Sequence, residues 1–316
     1  MIYNGKREEI IFLYDAYMAN PNGDPIEDNR PRIYNYNDES LEIVTDVRLK
    51  RTIRDFINNF GESDSFLKQY NPKIWFVPRL DDSKKLLEKE KLIEQYPDVL
   101  SYTDMSLFGA TLLGKHGEKK SKLRDIYFGP VQFRFGISMN NVNPLYIKGT
   151  TVMPSSNDKK QGTFTDRWVV DYSLISFYGV INENSANDTG LNDHKENVDM
   201  MLYAMWNGIK SLITQSKVGE TPRLLMVVEY KESNYQIGNI DRYLKLNDRN
   251  VNSANKVSID IKELISRLKE NRETISSIYL KYDSSFKYFN GSEQISKLDE
   301  YMRQETEIDI RLFGFI

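Results

Sequence analysis

The chain has 316 residues, with 43 Lys and Arg against 46 Asp and Glu, two His and no Cys, giving a formal net charge of -3. Without Cys there can be no disulfide framework, thiolate zinc site or thiol nucleophile, and only His116 and His194 could supply an imidazole. Apolar residues form 40% of the chain but never run for the roughly 20 residues a membrane helix needs. No membrane association and a cytoplasmic location are therefore expected, since Lys6 and Arg7 are followed directly by Glu8 and Glu9 rather than by an apolar stretch.

An acidic sum argues against a general nucleic-acid binder, yet it conceals a separation along the chain. Between residues 115 and 167 ten basic residues stand against four acidic ones, and between 171 and 200 six acidic residues stand against Lys195 alone. Such a molecule could offer a polyanion one face and pack copies of itself through both.

In chain order, the apolar run Ile10, Ile11, Phe12, Leu13, Tyr14 predicts a buried strand. It ends in Asn20, Pro21, Asn22, Gly23, Asp24 and Pro25, a turn in which Asn and Gly tolerate positive φ and two prolines forbid a ladder. A helix is predicted next, with Thr45 as N-cap, Asp46 in the first turn, a stripe of Leu49, Ile53, Phe56, Ile57 and Phe60, and Gly61 as its stop. Residues 62–124 read as an insertion with a short strand at 74–77 and a charged helix near 84–95. Strand character returns over 126–138, an exposed hairpin is predicted over 140–165, and a further strand over 168–180. A helix over about 195–215 carries Val198, Leu202, Met205, Ile209 and Leu212 on one face, and residues 224–230 form another strand. The tail adds strand, helix and strand. Two successive β-α-β units predict an α+β, ferredoxin-like or RNA-recognition-type sheet in one domain.

The residues with most chemistry to offer lie on the first helix. Arg48, Lys50, Arg51 and Arg54 occupy four of seven positions on its flanks and back, and its N-terminus adds free N–H groups and a positive dipole end behind a Gly- and Asn-rich loop. A solvated basic face is the plain alternative. No Walker-type Gly-x-x-x-x-Gly-Lys-Ser/Thr is present, which disfavours a mononucleotide site. Tyr14, Tyr17, Phe133 and Phe135 could stack on bases, although alternation must turn about half of them into the core. Asp15, Asp24 and Asp28 could in principle hold a divalent cation, but loop aspartates also form turns, and no metal or other cofactor is expected. Neither histidine lies in a ligand spacing.

Several segments together resemble the Cas-seven family, the backbone subunit of type I CRISPR Cascade complexes, and are closest to its type I-B branch (the Csh/Csd group). They are Asn20-Pro-Asn-Gly-Asp-Pro25 with Arg30-Pro31-Arg32, Val44-Thr-Asp-Val-Arg-Leu-Lys-Arg51, Asp104-Met-Ser-Leu-Phe-Gly-Ala110, Gly129-Pro-Val-Gln-Phe133, Tyr172-Ser-Leu-Ile-Ser-Phe-Tyr-Gly179 and Pro222-Arg-Leu-Leu225. Ser106 departs from the pattern, in which related sequences often carry Arg. The resemblance covers roughly residues 9–230.

It implies a modified RNA-recognition-motif palm over 1–316 with a helical finger at 62–124, a β-hairpin thumb at 139–167 and a C-terminal β-α-β addition at 256–282. It further implies a non-enzymatic ribonucleoprotein subunit that forms a helical filament along CRISPR RNA. Each thumb would splay one nucleotide, and the remaining bases would be presented to target DNA in antiviral defence. The expected partners are CRISPR RNA, target DNA through guide pairing, neighbouring copies of the chain and other Cascade subunits. Asn22, Gly23, Asp24, Thr45, Arg48, Lys50, Arg51 and Arg54 would lie against the RNA backbone. Arg134, Ser138, Asn140, Thr150, Val152 and Met153 would meet adjacent or splayed nucleotides. Two other readings compete: a metal-dependent endoribonuclease using Asp24, and a protein-only scaffold.

Overall fold

The strand Glu8–Ala19 owes its unbroken apolar run to burial on both sides. In the computed structural model, which describes residues 2–80, 84–112, 125–150 and 164–315, it lies at the centre of a ten-stranded sheet. It pairs antiparallel with Phe164–Ile181 on one flank and with Glu220–Tyr230 on the other. Outside Glu220–Tyr230 come Ile275–Tyr282, antiparallel, and then Ile310–Leu312, parallel. On the opposite flank Phe164–Ile181 carries Val131–Phe133 and Gly136–Ser138. Glu39–Val44 and Ile33–Tyr36 complete that edge.

Ile10, Phe12 and Tyr14 point to one side of this sheet, where two helices cover them. Asp46–Phe60 starts at Thr45, whose hydroxyl accepts from the Arg48 N–H as the capping pattern predicts, and stops at Gly61. It buries Leu49, Ile53, Phe56 and Ile57, each contributing about 2 kcal/mol of apolar burial. The other helix, Glu196–Lys210, buries Val198, Met201, Leu202 and Met205 against the same face. Its Gly208 lets the two helices approach closely, because a Cβ there would stand 3.2 Å from the Thr52 methyl and 3.3 Å from Phe56 Cβ. This helix is shorter than its predicted 195–215 span. After Lys210 the chain turns back, and the Ser216 carbonyl accepts from the Asn20 N–H at 2.7 Å.

Ile11, Leu13, Tyr172, Leu224 and Met226 face the other way, into a second core closed by the C-terminal part of the chain. There the helix Lys262–Glu270 supplies Leu264 and Leu268, and Leu298–Thr306 supplies Met302. Residues 256–282 contain the strand Ser258–Asp260, the helix Lys262–Glu270 and the strand Ile275–Tyr282. The two strands join different sheets: the first belongs to a small four-stranded sheet and the second to the main one.

Three local expectations differ from the structure. Residues 74–77 are not a strand: the N–H groups of Trp75 and Phe76 donate to the Asp104 carboxylate at 2.7 and 3.1 Å, and Trp75 is buried in a separate cluster with Leu92, Ile93, Val99 and Met105. The charged helix is Lys89–Gln95, less than its predicted span. Residues 126–138 break into Ile126–Phe128, Val131–Phe133 and Gly136–Ser138. One break falls at Gly129 and Pro130; at the other, the Arg134 N–H bonds the Tyr178 carbonyl and Phe135 turns outward at 51% exposure.

The arms of the expected hairpin are Pro144–Thr150 and the start of Phe164–Ile181, in antiparallel register from Pro144 opposite Val170 to Thr150 opposite Phe164. Val152 and Met153 lie outside the described residues, as do His116 and most of the basic residues between 115 and 160.

Candidate nucleic-acid interface

Four pieces of backbone converge at the end of the first strand: the 20–29 loop, the start of the basic helix, the base of the hairpin and the 216–217 turn. Between them is a cleft of about 440 Å³ lined by Asn20, Asn22, Arg48, Arg167, Trp168 and Lys217, with Asp28 and Asp166 also on its wall.

The loop is held by its own side chains. Asn20 Nδ2 donates to the carbonyls of Asn29 at 2.6 Å and Trp168 at 3.3 Å. Asn22 Oδ1 accepts from the Thr45 hydroxyl at 3.0 Å, so the loop is hydrogen-bonded directly to the helix cap. Gly23 is required by close approach: a Cβ there would meet the Asn29 carbonyl oxygen at 2.6 Å. Asp24 is a turn former, its Oδ1 accepting from the Ile26 N–H at 3.0 Å and its Oδ2 paired with Arg32 at 2.7 Å. Asp28 and Asn29 adopt positive φ.

The four helix cations point in different directions. Arg48 faces the cleft and has no salt-bridge partner among the described residues. Arg51 lies on the solvent side at 50% exposure, bonded to Asp55. Lys50 pairs with Asp46 at 3.0 Å and lies over the Phe108 ring. Arg54 is turned away from solvent, 3.0 Å from Asp104 and between the rings of Phe76 and Phe108. Arg54, expected against RNA, makes an internal ion pair, which the seven-residue basic pattern could not reveal.

A separate groove of about 680 Å³ holds Arg134 and Ser138 together with Leu41, Ile137, Met139 and the 241–249 segment. Arg134 pairs with Asp241, donates to Asn239 at 2.8 Å and lies over Tyr178. Ser138 and Asn140 spend their side chains on neighbouring backbone. Ser138 Oγ accepts from the Glu42 N–H and donates to the Asn140 carbonyl, both at 2.9 Å. Asn140 is 0% exposed; it donates to the carbonyls of Asn141, Tyr172 and Val251 and accepts from the Leu174 N–H. Both stay inside, where they satisfy backbone groups around the end of the strand Gly136–Ser138. Ser106 is likewise buried, receiving Asn197 Nδ2 at 2.6 Å and donating to the Thr103 carbonyl. Of the aromatics, Tyr14 and Phe133 are core residues, whereas Tyr17 is 59% exposed. Asp15 belongs to an internal pair with Arg223 at 3.0 Å and accepts from the Tyr172 hydroxyl. No group of three or more acidic or histidine side chains among the described residues could hold a metal ion.

Trp168, Arg30 and Arg167 are additions to the sequence reading. Arg30 lies 5.3 Å from the Trp168 ring centre, Tyr146 packs on the same ring, and Arg167 reaches the Gln215 carbonyl. Alternation along the hairpin arm was the available signal for this cross-strand aromatic pair. Lys217 has no such signal. Its ammonium donates to the Asn20 and Pro21 carbonyls, and burial pushes it down to about 8. Burial raises the adjacent Glu220 carboxyl, and raises Glu42 to about 8 with Glu220 adding to the effect.

The fold defines a mixed α+β protein, with a cleft at one end of its main sheet lined by Arg48, Arg167 and Lys217. The family described as CRISPR-associated protein Cas7 matches residues 6–264. A CRISPR-associated protein Cas7 of Haloferax volcanii is 32% identical, over 95% of this chain and 94% of that protein. The chain belongs to the Cas7 family. Among solved structures, a chain of a CRISPR RNA-guided surveillance complex has a TM-score of 0.52 at 13% identity, covering 88% of this chain and 89% of its own. A chain of a CRISPR RNA-guided surveillance complex, pre-nicking, has a TM-score of 0.53 at 14% identity, covering 95% and 100%. At these identities the likeness is one of fold. No helix of the described residues is long and apolar enough to cross a membrane.

Proposed function

We propose that this protein is the RNA-binding backbone subunit of a type I CRISPR surveillance complex, in the type I-B branch, working in the cytoplasm. Copies line up along the guide RNA, grip its phosphates and leave bases free to pair with target DNA. The observation that carries the reading is the cleft in which a turn with bonded side chains is tied through Asn22 to the cap of a helix bearing Arg48, beside Arg167 and Trp168. Such a site holds phosphates without reading sequence, as a coat for arbitrary spacers must, and leaves sequence to base pairing.

The palm reading is supported by strand order. Taking Glu8–Ala19, Val131–Phe133 with Gly136–Ser138, Phe164–Ile181 and Glu220–Tyr230 as first to fourth, the order across the sheet is fourth, first, third, second. Both helices lie on one face, as in an RNA-recognition motif. Residues 62–124 are then the finger and 139–167 the thumb. Within the interface Arg48, Arg51, Arg167 and Arg30 contact phosphates, and Asn22, Gly23, Asp24 and Thr45 shape the turn. Lys50 lies at its margin, Arg134 lines the separate groove and would meet a neighbouring nucleotide, and Thr150, Val152 and Met153 belong to the thumb. Arg54, Ser138 and Asn140 support the backbone.

The test is RNA extracted from the purified protein, followed by affinity measured against salt. Lys50→Ala with Arg51→Ala is expected to weaken binding equally for unrelated sequences and to make the log K against log salt slope shallower by about 0.7, the share of the Arg51 phosphate contact. A salt-independent affinity would overturn the reading. For the nuclease alternative, Asp24 is already engaged by Arg32 and the Ile26 N–H. Regularly spaced cuts in complementary RNA with Mg²⁺, lost on Asp24→Ala, would revive it.

A further inference from the structure

Lys217 lies between the proposed RNA cleft and a buried acidic pair. On the cleft side its ammonium donates to the carbonyls of Asn20 and Pro21, the residues immediately before Asn22, whose side chain bonds the Thr45 cap. On the core side lie Glu220 and Glu42, both buried, and Glu220 Oε1 has no hydrogen-bond partner among the described residues. The charged and titratable groups facing this cluster are Tyr14 from the first strand, Glu42 from its edge strand, Arg48 from the helix, Asp171 from the long strand, and Lys217 and Glu220, with Asp28, Asp166 and Arg167 on the cleft wall beside Lys217.

Building on the RNA-binding reading, we infer that Lys217 is a positioning residue. It fixes the 20–22 turn against the helix cap, and RNA affinity is thereby linked to the protonation of Lys217, Glu42 and Glu220. Among the described residues the ammonium is the only side-chain donor recorded to those two turn carbonyls, so losing its charge weakens, and losing the amine removes, the hold on the turn beside Arg48.

The sign follows from charge. Protonating Lys217 adds a positive charge, and protonating Glu220 or Glu42 removes a negative one. All three changes favour a polyanion. Binding therefore takes up protons, and affinity rises as pH falls through about 8, where burial has brought Lys217 and Glu42. Arginine at this position would stay charged throughout, since its pKa exceeds about 12.

The experiment is fluorescence anisotropy of a labelled single-stranded RNA with the full chain, from about pH 6.5 to about pH 9 at several salt concentrations. Wild type is expected to lose about tenfold in affinity over the upper half of that range. Lys217→Arg should bind like wild type at the acidic end and lose at most half as much. Lys217→Met should bind about tenfold more weakly with an unchanged salt slope, because it removes a hydrogen-bonding group rather than a phosphate contact. Arg48→Ala, by contrast, should reduce the slope by about 0.7. Wild-type binding by Lys217→Met, or a pH response in Lys217→Arg equal to that of wild type, overturns the inference. If Lys217→Met fails to fold, the Lys217→Arg profile decides alone. If RNA binding is also indifferent to Arg48 and to the Lys50/Arg51 pair, it is the RNA-binding reading that fails.

Discussion

Arg54 and Asp104 are separated by fifty residues in sequence and by 3.0 Å from Nε to Oδ2 in space. Asp104 is only 1% exposed, and its carboxylate also receives the N–H groups of Trp75 and Phe76. The pair therefore joins the basic helix to the 62–124 insertion, while the cation lies between two aromatic rings.

Removing Asp104 leaves a partly buried guanidinium without its counter-charge and two backbone donors without their acceptor. Asp104→Ala is expected to destabilise the protein by about 3–5 kcal/mol in urea unfolding. A loss below about 1 kcal/mol would contradict this placement. Arg54→Ala should lower stability too, yet leave the salt slope of RNA binding where it was.

Thr45 is a cap whose hydroxyl both accepts from the Arg48 N–H and donates to Asn22. Thr45→Ala should cost about 1 kcal/mol. Thr45→Ser, which keeps the hydroxyl, should recover most of it. Equal losses in the two variants would show that the methyl group rather than the cap matters.

Asn140 satisfies four backbone groups from a fully buried position. Asn140→Ala should cost about 2–4 kcal/mol by leaving several of them without partners. Any reduction in RNA affinity should disappear once binding is corrected for the folded fraction measured by circular dichroism. A loss of affinity in fully folded protein would instead return Asn140 to the interface.

Glu42 offers a stability test in its own right. Its folded carboxyl is raised to about 8 by burial, above the ordinary value of about 4.3. The stability it contributes is fully present below the unfolded pKa and is lost as pH rises towards the folded one. Glu42→Gln should therefore gain on wild type by about 1.4 kcal/mol per pH unit between about pH 5 and pH 8. Parallel stability curves for the two proteins across that window would exclude a protonated Glu42.

Features set by near neighbours were legible in the sequence. The Thr45 cap, the Leu49, Ile53, Phe56 stripe and the Gly61 stop depend on residues within a few positions, and each is where the pattern puts it. Trp75 was misread because a short apolar run with two aromatics reads as a strand, while the group that fixes it, Asp104, lies 29 residues away. Arg54 follows the same logic, since nothing local distinguishes it from the solvent-facing Arg51. Lys217 lies in a short turn without any motif, and its importance arises from carbonyls almost 200 residues earlier. The second core behind Ile11 and Leu13 was also hidden. A strand buried on both faces announces itself by composition, but not what covers it.

The long strand Phe164–Ile181 serves two structures at once: its first residues form a hairpin arm and the rest lies beside the central strand. At about 3.3 Å per residue it is a continuous bar of roughly 60 Å. A pull or twist on the hairpin is therefore carried without an intervening hinge into the middle of the sheet. There it loads the hydrogen bonds to Glu8–Ala19 in shear, many at a time, rather than peeling them one by one. The paired arms 144–150 and 164–170 thus move with the sheet, and displacing them means loading the centre of the subunit.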